Sequence, residues 1–207
     1  MSHVSEATKT FDLSGGNLCL DFANTARHVD ASREDLPTYP ALVSFAEQTG
    51  TVTHAQARAL LAAAAKKPAA AARVLSRAIE LRGAIFRTFS AIAGGGDVRA
   101  EDLAVIDRLA ADAAAHTHLA PCDGGFHWEL DAGALRELPG PLWPVVRSAT
   151  DLLTSGAVAT VRECALETCS WLFLDHSKNQ KRRWCDMKIC GNRSKARRHY
   201  ARTKGSA

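Results

Sequence analysis

Four cysteines toward the C-terminal end, Cys164, Cys169, Cys185 and Cys190, form two C-x4-C pairs with fifteen residues between them. Two short knuckles that each deliver two thiolates, joined by a loop long enough to fold back, make the layout of a structural zinc site. Four thiolates close a tetrahedral sphere and leave no position for a substrate water, so one structural zinc is expected and not a catalytic one. The competing reading is four buried thiols acting as small apolar residues. The polar stretch around them favours zinc.

Charge is divided unevenly along the 207 residues. From residue 160 onward there are 12 Lys+Arg and 4 Asp+Glu, net +8, against 14 and 18 before it, net −4. A Zn(Cys)4 centre carries formal charge −2, and cations nearby help keep its thiolates ionised. That occupies two or three basic residues, not twelve, and the remainder points to a polyanionic partner. Between the knuckles, Trp171 to Leu174 is apolar, the following residues are turn-like, and Arg182, Arg183 and Trp184 lead into Cys185, which predicts a β-hairpin with a polar tip. After Gly191-Asn192 the stretch Arg193–Lys204 has no helix breaker. Knuckle, hairpin and helix in that order suggest a treble-clef-like finger. Its candidate phosphate-contacting residues are Lys178, Lys181, Arg182 and Arg183 on the loop and Arg193, Lys195, Arg197, Arg198 and Arg202 on the helix, with His199 and Tyr200 for polar or stacking contacts.

The segments Trp171-Leu172-Phe173-Leu174-Asp175, Arg182-Arg183-Trp184-Cys185 and Cys190-Gly191-Asn192-Arg193 resemble the CGNR zinc finger of a bacterial family. There the finger follows a domain called ABATE, predicted to belong to stress-induced transcription regulators. The stretch Gly15-Gly16-Asn17-Leu18-Cys19-Leu20-Asp21-Phe22-Ala23-Asn24-Thr25 resembles the opening motif of that domain. The resemblance covers nearly the whole chain and implies a stress-response regulator.

The expected fold class is α+β. A mostly helical domain over 1–155 with a small β-hairpin is followed by the finger over 156–207, and Thr154-Ser155-Gly156 is the expected hinge. Helices are predicted from Tyr39-Pro40 to Gly50, from a Thr53/Gln56 capping box to about Ala65, from Pro68 to the Gly94-Gly95-Gly96 stop, from about Ala100, and from Trp143 to Leu153. His116–Pro121 and Phe126–Asp131 flank Asp123-Gly124-Gly125 as a hairpin, and Val158–Arg162 is expected as a strand into the first knuckle. The N-terminus lacks a signal-like apolar segment, no run is long enough to span a membrane, and Cys19 and Cys122 have no close-spaced partner. A cytoplasmic protein with reduced cysteines is the consistent expectation.

Asp21, Asn24 and Thr25, followed by Arg27 and His28, form a candidate ligand pocket, for a small-molecule effector or, less readily, a general base. If helical they share a face, and if extended they split. Polar groups in an apolar segment are most often bonded to their own protein, and that reading is preferred. His116, His118 and His127 lie close on the predicted hairpin, but no carboxylate is spaced to complete a metal triad. Neither a phosphate-binding glycine loop nor a nucleophile elbow is present, so no enzyme is expected and no catalytic residue is nominated. The leading expectation is a DNA-binding regulator whose helical domain senses a signal or forms a homodimer. The alternatives are a protein-interaction or RNA-binding module with a purely structural zinc, and an enzyme using the Asp21 region.

Overall fold

Helix α4, Pro68–Gly94, is the longest element and the one on which the helical region is assembled. Its inward residues Val74, Ala78, Leu81, Ile85 and Phe89 recur at three- and four-residue steps and are buried. Proline at its first position fits a helix start, and Gly95, at φ 69°, supplies the left-handed residue that ends it. The computed structural model describes residues 10–26 and 33–204, without the side chains of 198, 199 and 201–204. Arg27, His28 and the side chains of Arg198, His199 and Arg202 therefore lie outside the described residues.

Around α4 stand α1 (Leu18–Ala23), α2 (Tyr39–Gln48), α3 (His54–Lys66), α5 (Ala100–Ala114) and α6 (Leu142–Thr154). The capping box at α3 is present in both directions: Gln56 N–H donates to Thr53 Oγ1 at 3.2 Å, and Thr53 N–H to Gln56 Oε1 at 2.7 Å. Strands β1 (Thr117–Cys122) and β2 (Gly125–Leu130) form the expected hairpin, with Cys122 opposite Gly125 at its tip. Among the described residues no helix is long and apolar enough to cross a membrane.

After α6 the chain makes a short 3-10 turn over Gly156–Thr160, where a strand is expected from 158, and β3 runs only over Val161–Glu163. Its partner is β4, Leu172–Leu174, antiparallel, with Arg162 opposite Phe173. This corrects the expected hairpin, in which Leu172–Leu174 would pair with the stretch leading into Cys185. The reason is local: the buried Asp175 carboxylate accepts from Ser177 N–H at 2.9 Å and Arg182 N–H at 2.8 Å. Those bonds satisfy the returning segment as a loop, which touches the first knuckle through Ala165 N–H to Arg183 O at 2.8 Å. A π-turn over Met187–Gly191 and helix α7, Asn192–Lys204, complete the chain.

Strand β4 is buried on both faces. Leu172 and Leu174 join the helical core together with Val161, while Phe173 packs among the cysteines with Leu166, Trp171 and Trp184. The hydrophobic core thus extends past the expected hinge into the finger.

Candidate metal centre and its basic surface

The two knuckles are made by different local devices. Cys164 leaves β3 with its N–H bonded to Trp171 O at 2.8 Å, and Cys169 closes a tight turn onto Leu166 O at 2.8 Å. In the second knuckle Asp186 caps the π-turn, its Oδ1 accepting from Ile189 N–H at 2.7 Å and its carbonyl from Cys190 N–H at 2.9 Å. Gly191 faces the Met187 side chain so closely that a Cβ would lie 2.4 Å from Sδ. Asn192 donates from Nδ2 to Lys188 O at 2.8 Å, and Arg193 stands exposed as α7 begins. In the Cys-Gly-Asn-Arg run the cysteine thus supplies a ligand, the glycine allows close approach, the asparagine caps, and the arginine places charge on the surface.

The four sulfurs lie within 4.8 Å of one another, with Cys169–Cys185 and Cys185–Cys190 both at 3.6 Å. A tetrahedron with Zn–S bonds of about 2.3 Å has edges of about 3.8 Å, so the arrangement fits the ion. Thiol hydrogen bonds from Cys169 and Cys185 draw Cys164 down to about 2. The same exchange of hydrogen bonds pushes Cys169 up to about 12 and also raises Cys185, and burial raises Cys190. Four thiolates packed this closely repel one another, and a divalent cation at their centre would offset that repulsion. The donor set and spacing are those of one structural zinc ion.

The cations around this centre divide into two kinds. Arg182 is exposed but engaged by the finger itself: its guanidinium lies 4.5 Å from the Phe173 ring centroid, donates to Trp184 O at 2.9 Å and also bonds Cys185 O. It braces the second knuckle. Lys178, Lys181, Arg183, Lys195 and Arg197 are exposed, Arg183 over the Trp184 ring and Arg197 within 3.9 Å of Glu167. A cavity of about 210 Å³ beside the sulfurs is lined by Arg193 together with Arg33, Trp171 and two carboxylates, Asp12 and Asp186.

Asp21, Asn24 and Thr25 come together on and just after α1, and each is engaged inside the protein. Asp21 Oδ1 accepts from Gly15 N–H at 2.7 Å, and burial pushes its carboxyl up to about 7. Asn24 donates from Nδ2 to Leu172 O and accepts at Oδ1 from Leu172 N–H, both at 2.9 Å. Gly15 O takes Leu174 N–H at 2.9 Å. The edge of β4 not paired to β3 is therefore closed by this N-terminal motif, which stands in for a neighbouring strand. A Cβ on Gly15 would meet Asp21 Oδ1 at 2.8 Å, and Gly16 has φ 76°, which accounts for the glycine pair. Thr25 accepts at Oγ1 from Arg82, whose guanidinium also holds Glu34 with two bonds of 2.7 and 2.5 Å. The cavity beside the sulfurs is not lined by Asp21, Asn24 or Thr25.

Sequence reasoning passed over Arg82, although an arginine between Ala78 and Ile85 on the buried stripe of α4 signals a buried polar contact. It also passed over Asn17, which caps α1 by accepting from Cys19 N–H at 3.1 Å and from Ser148 Oγ at 2.7 Å. The hairpin histidines are separate: His116 stacks on Trp143, His118 pairs with Asp131 at 2.9 Å, and His127 lies 3.9 Å from Glu129. Among the described residues the four cysteines are the only group placed to hold a metal.

Residues 16–156 match the family ABATE, described as "putative stress-induced transcription regulator", and residues 160–203 match the CGNR zinc finger. No curated protein matches the chain. With most of its length matched, the chain belongs to the ABATE family and carries a CGNR zinc finger after that domain.

Proposed function

We propose that this protein is a cytoplasmic, stress-responsive transcription regulator that binds duplex DNA through its zinc finger, with the helical region sensing a signal or joining two copies. The observation that carries this reading is the basic surface of the finger. After Arg182 is assigned to the knuckle, Lys178, Lys181, Arg183, Lys195 and Arg197 remain exposed around the zinc centre. Arg193 is exposed as well and adds to that surface beside the cavity. The zinc holds loop and helix in one rigid unit, so these cations are presented together to a polyanion. An RNA reader of the sheet type would need exposed aromatics for base stacking. Trp171, Phe173 and Trp184 instead pack against the cysteines, which favours DNA.

The test is the affinity of the zinc-loaded full chain for duplex DNA as a function of salt. Contacts to about four to six phosphates give a log–log slope of roughly −4 to −5. Arg197→Ala is expected to lower affinity and to flatten that slope by about one unit. Arg182→Ala should instead loosen the finger, since it removes a brace. A slope near zero, or equal affinity for RNA and DNA under competition, would overturn the DNA reading.

A further inference from the structure

The register of the β1–β2 hairpin puts Leu119 opposite Trp128 and Pro121 opposite Phe126. Alternation along each strand then places all four on one face, with His118, Ala120 and His127 on the other. That apolar face is open: Leu119, Phe126 and Trp128 are 58%, 74% and 55% exposed. At the hairpin's root the same face continues into a cavity of about 260 Å³. Ala110, Ala113 and Ala114 of α5 floor it, Trp128 overhangs it, and Arg147 and Asp151 of α6 stand at its rim. Two bonds fix the hairpin over this groove, Thr117 Oγ1 to Ala113 O and Arg147 Nη1 to Trp128 O, both at 2.8 Å. A projecting knob and a hole lie side by side on one rigid surface.

We propose that this face is a two-fold interface at which a second copy of the chain docks, the Phe126 ring of each copy entering the alanine-floored cavity of the other. An isologous interface needs a patch complementary to itself, and a knob beside a hole meets that condition. The fit is adequate in size: a cavity of about 150 Å³ accepts benzene, and this one is larger. Phe126 stands about 7 Å along the strand from Trp128, so a two-fold axis between them carries each ring toward the opposite hole. Charge permits it as well. Arg147 and Asp151 at the rim pair with each other at 3.7 Å and leave it without net charge, whereas the finger, net +8, repels its own copy.

The area is also right. Aromatic side chains present about 150–250 Å² each, so the exposed parts of Phe126, Trp128 and Leu119 sum to roughly 350–400 Å² per copy. Doubled, that approaches the apolar share of a standard interface of about 1,600 Å², the remainder being polar rim. The proposal deepens the regulator reading by naming what the helical region joins, but it is measured without DNA, so the two can fail separately.

Sedimentation equilibrium of the zinc-loaded full chain, from micromolar to submillimolar concentration, should show a monomer–dimer equilibrium. Phe126→Asp at the knob and Ala114→Trp at the hole should each weaken the dimer at least about tenfold, as loss of a central anchor does. His118→Ala, on the opposite face of the hairpin, should leave it unchanged. Far-UV circular dichroism verifies that each variant is folded. A native chain that stays monomeric throughout the range overturns the proposal. So does a dimer indifferent to both Phe126→Asp and Ala114→Trp, or one dissolved equally by His118→Ala.

Discussion

Asn24 turns one amide N–H and its carbonyl oxygen toward Leu172, which presents the matching carbonyl and amide, so the pair behaves like a rung of a β-ladder made by a side chain. Truncating it strands two buried backbone groups, each costing roughly 1–3 kcal/mol when unsatisfied. Asn24→Ala is therefore expected to lower stability by about 2–6 kcal/mol in urea titration, and to loosen zinc, since β4 also carries Phe173. A loss below about 1 kcal/mol, the range of an ordinary surface change, would mean that water replaces the amide. Asp21 provides a pH signature. Burial raises its carboxyl from 3.8 in the unfolded chain to about 7 in the fold, so between those values the folded chain keeps a proton that the unfolded chain has released. Its contribution is complete below the lower value and is lost as pH rises through the upper one, at up to about 1.4 kcal/mol per pH unit. Asp21→Asn keeps an acceptor for Gly15 without a charge to bury. Urea midpoints should show this variant more stable than the native chain near about pH 8, with the gap closing toward about pH 5. A gap independent of pH would assign the shift to another group. The polar trio was legible as internally bonded from its apolar setting. Its partner was not, because Leu172 lies 148 residues away and no local pattern encodes that distance.

At the scale of elements, β4 explains why some features could be read and others not. The capping box of α3, the proline start of α4 and the glycine turn between β1 and β2 are local devices, and their residues announce them. The apolar run Trp171–Leu174 announced a strand but not its neighbours. Three consecutive buried residues need cover on both faces and partners on both edges, and these come from β3, the helical core, the cysteine cluster and the α1 motif. Because Leu172 and Phe173 face different cores, their truncation should differ in kind. Phe173→Ala should cost about 3–5 kcal/mol and speed zinc transfer to a chelator. Leu172→Ala, at about 2–5 kcal/mol, should act first on the helical melting transition. Equal effects of both variants on zinc transfer would show that the strand does not separate the two cores.

Over the whole molecule, the shift in charge from residue 160 marks where one matched family gives way to the next, but not where the core ends. Val161, Leu172 and Leu174 are core residues of the helical region supplied from within the finger. Removing zinc should therefore lower the thermal transition of the entire chain. Far-UV dichroism and tryptophan fluorescence should move together, since metal affinity is folding free energy for what the metal holds in place. A helical transition untouched by chelation would establish two thermodynamically separate units. The metal centre itself was legible down to its four ligands, because short cysteine spacings determine which sulfurs can share an ion.

The β4 contact has a consequence for synthesis. Asn24 leaves the ribosome 148 residues before the strand it binds. At elongation rates of about 5–20 residues per second, that is an interval of roughly 7–30 s. For that time the nascent helical region has its Asn24 amide and the seats of Val161, Leu172 and Leu174 open to solvent. Leu174, the last of these residues to emerge, closes the core, so a translation pause between Asn24 and Leu174 acts on a chain whose core is still open. Such a chain exposes apolar surface of the kind that chaperones shield until the finger has been made.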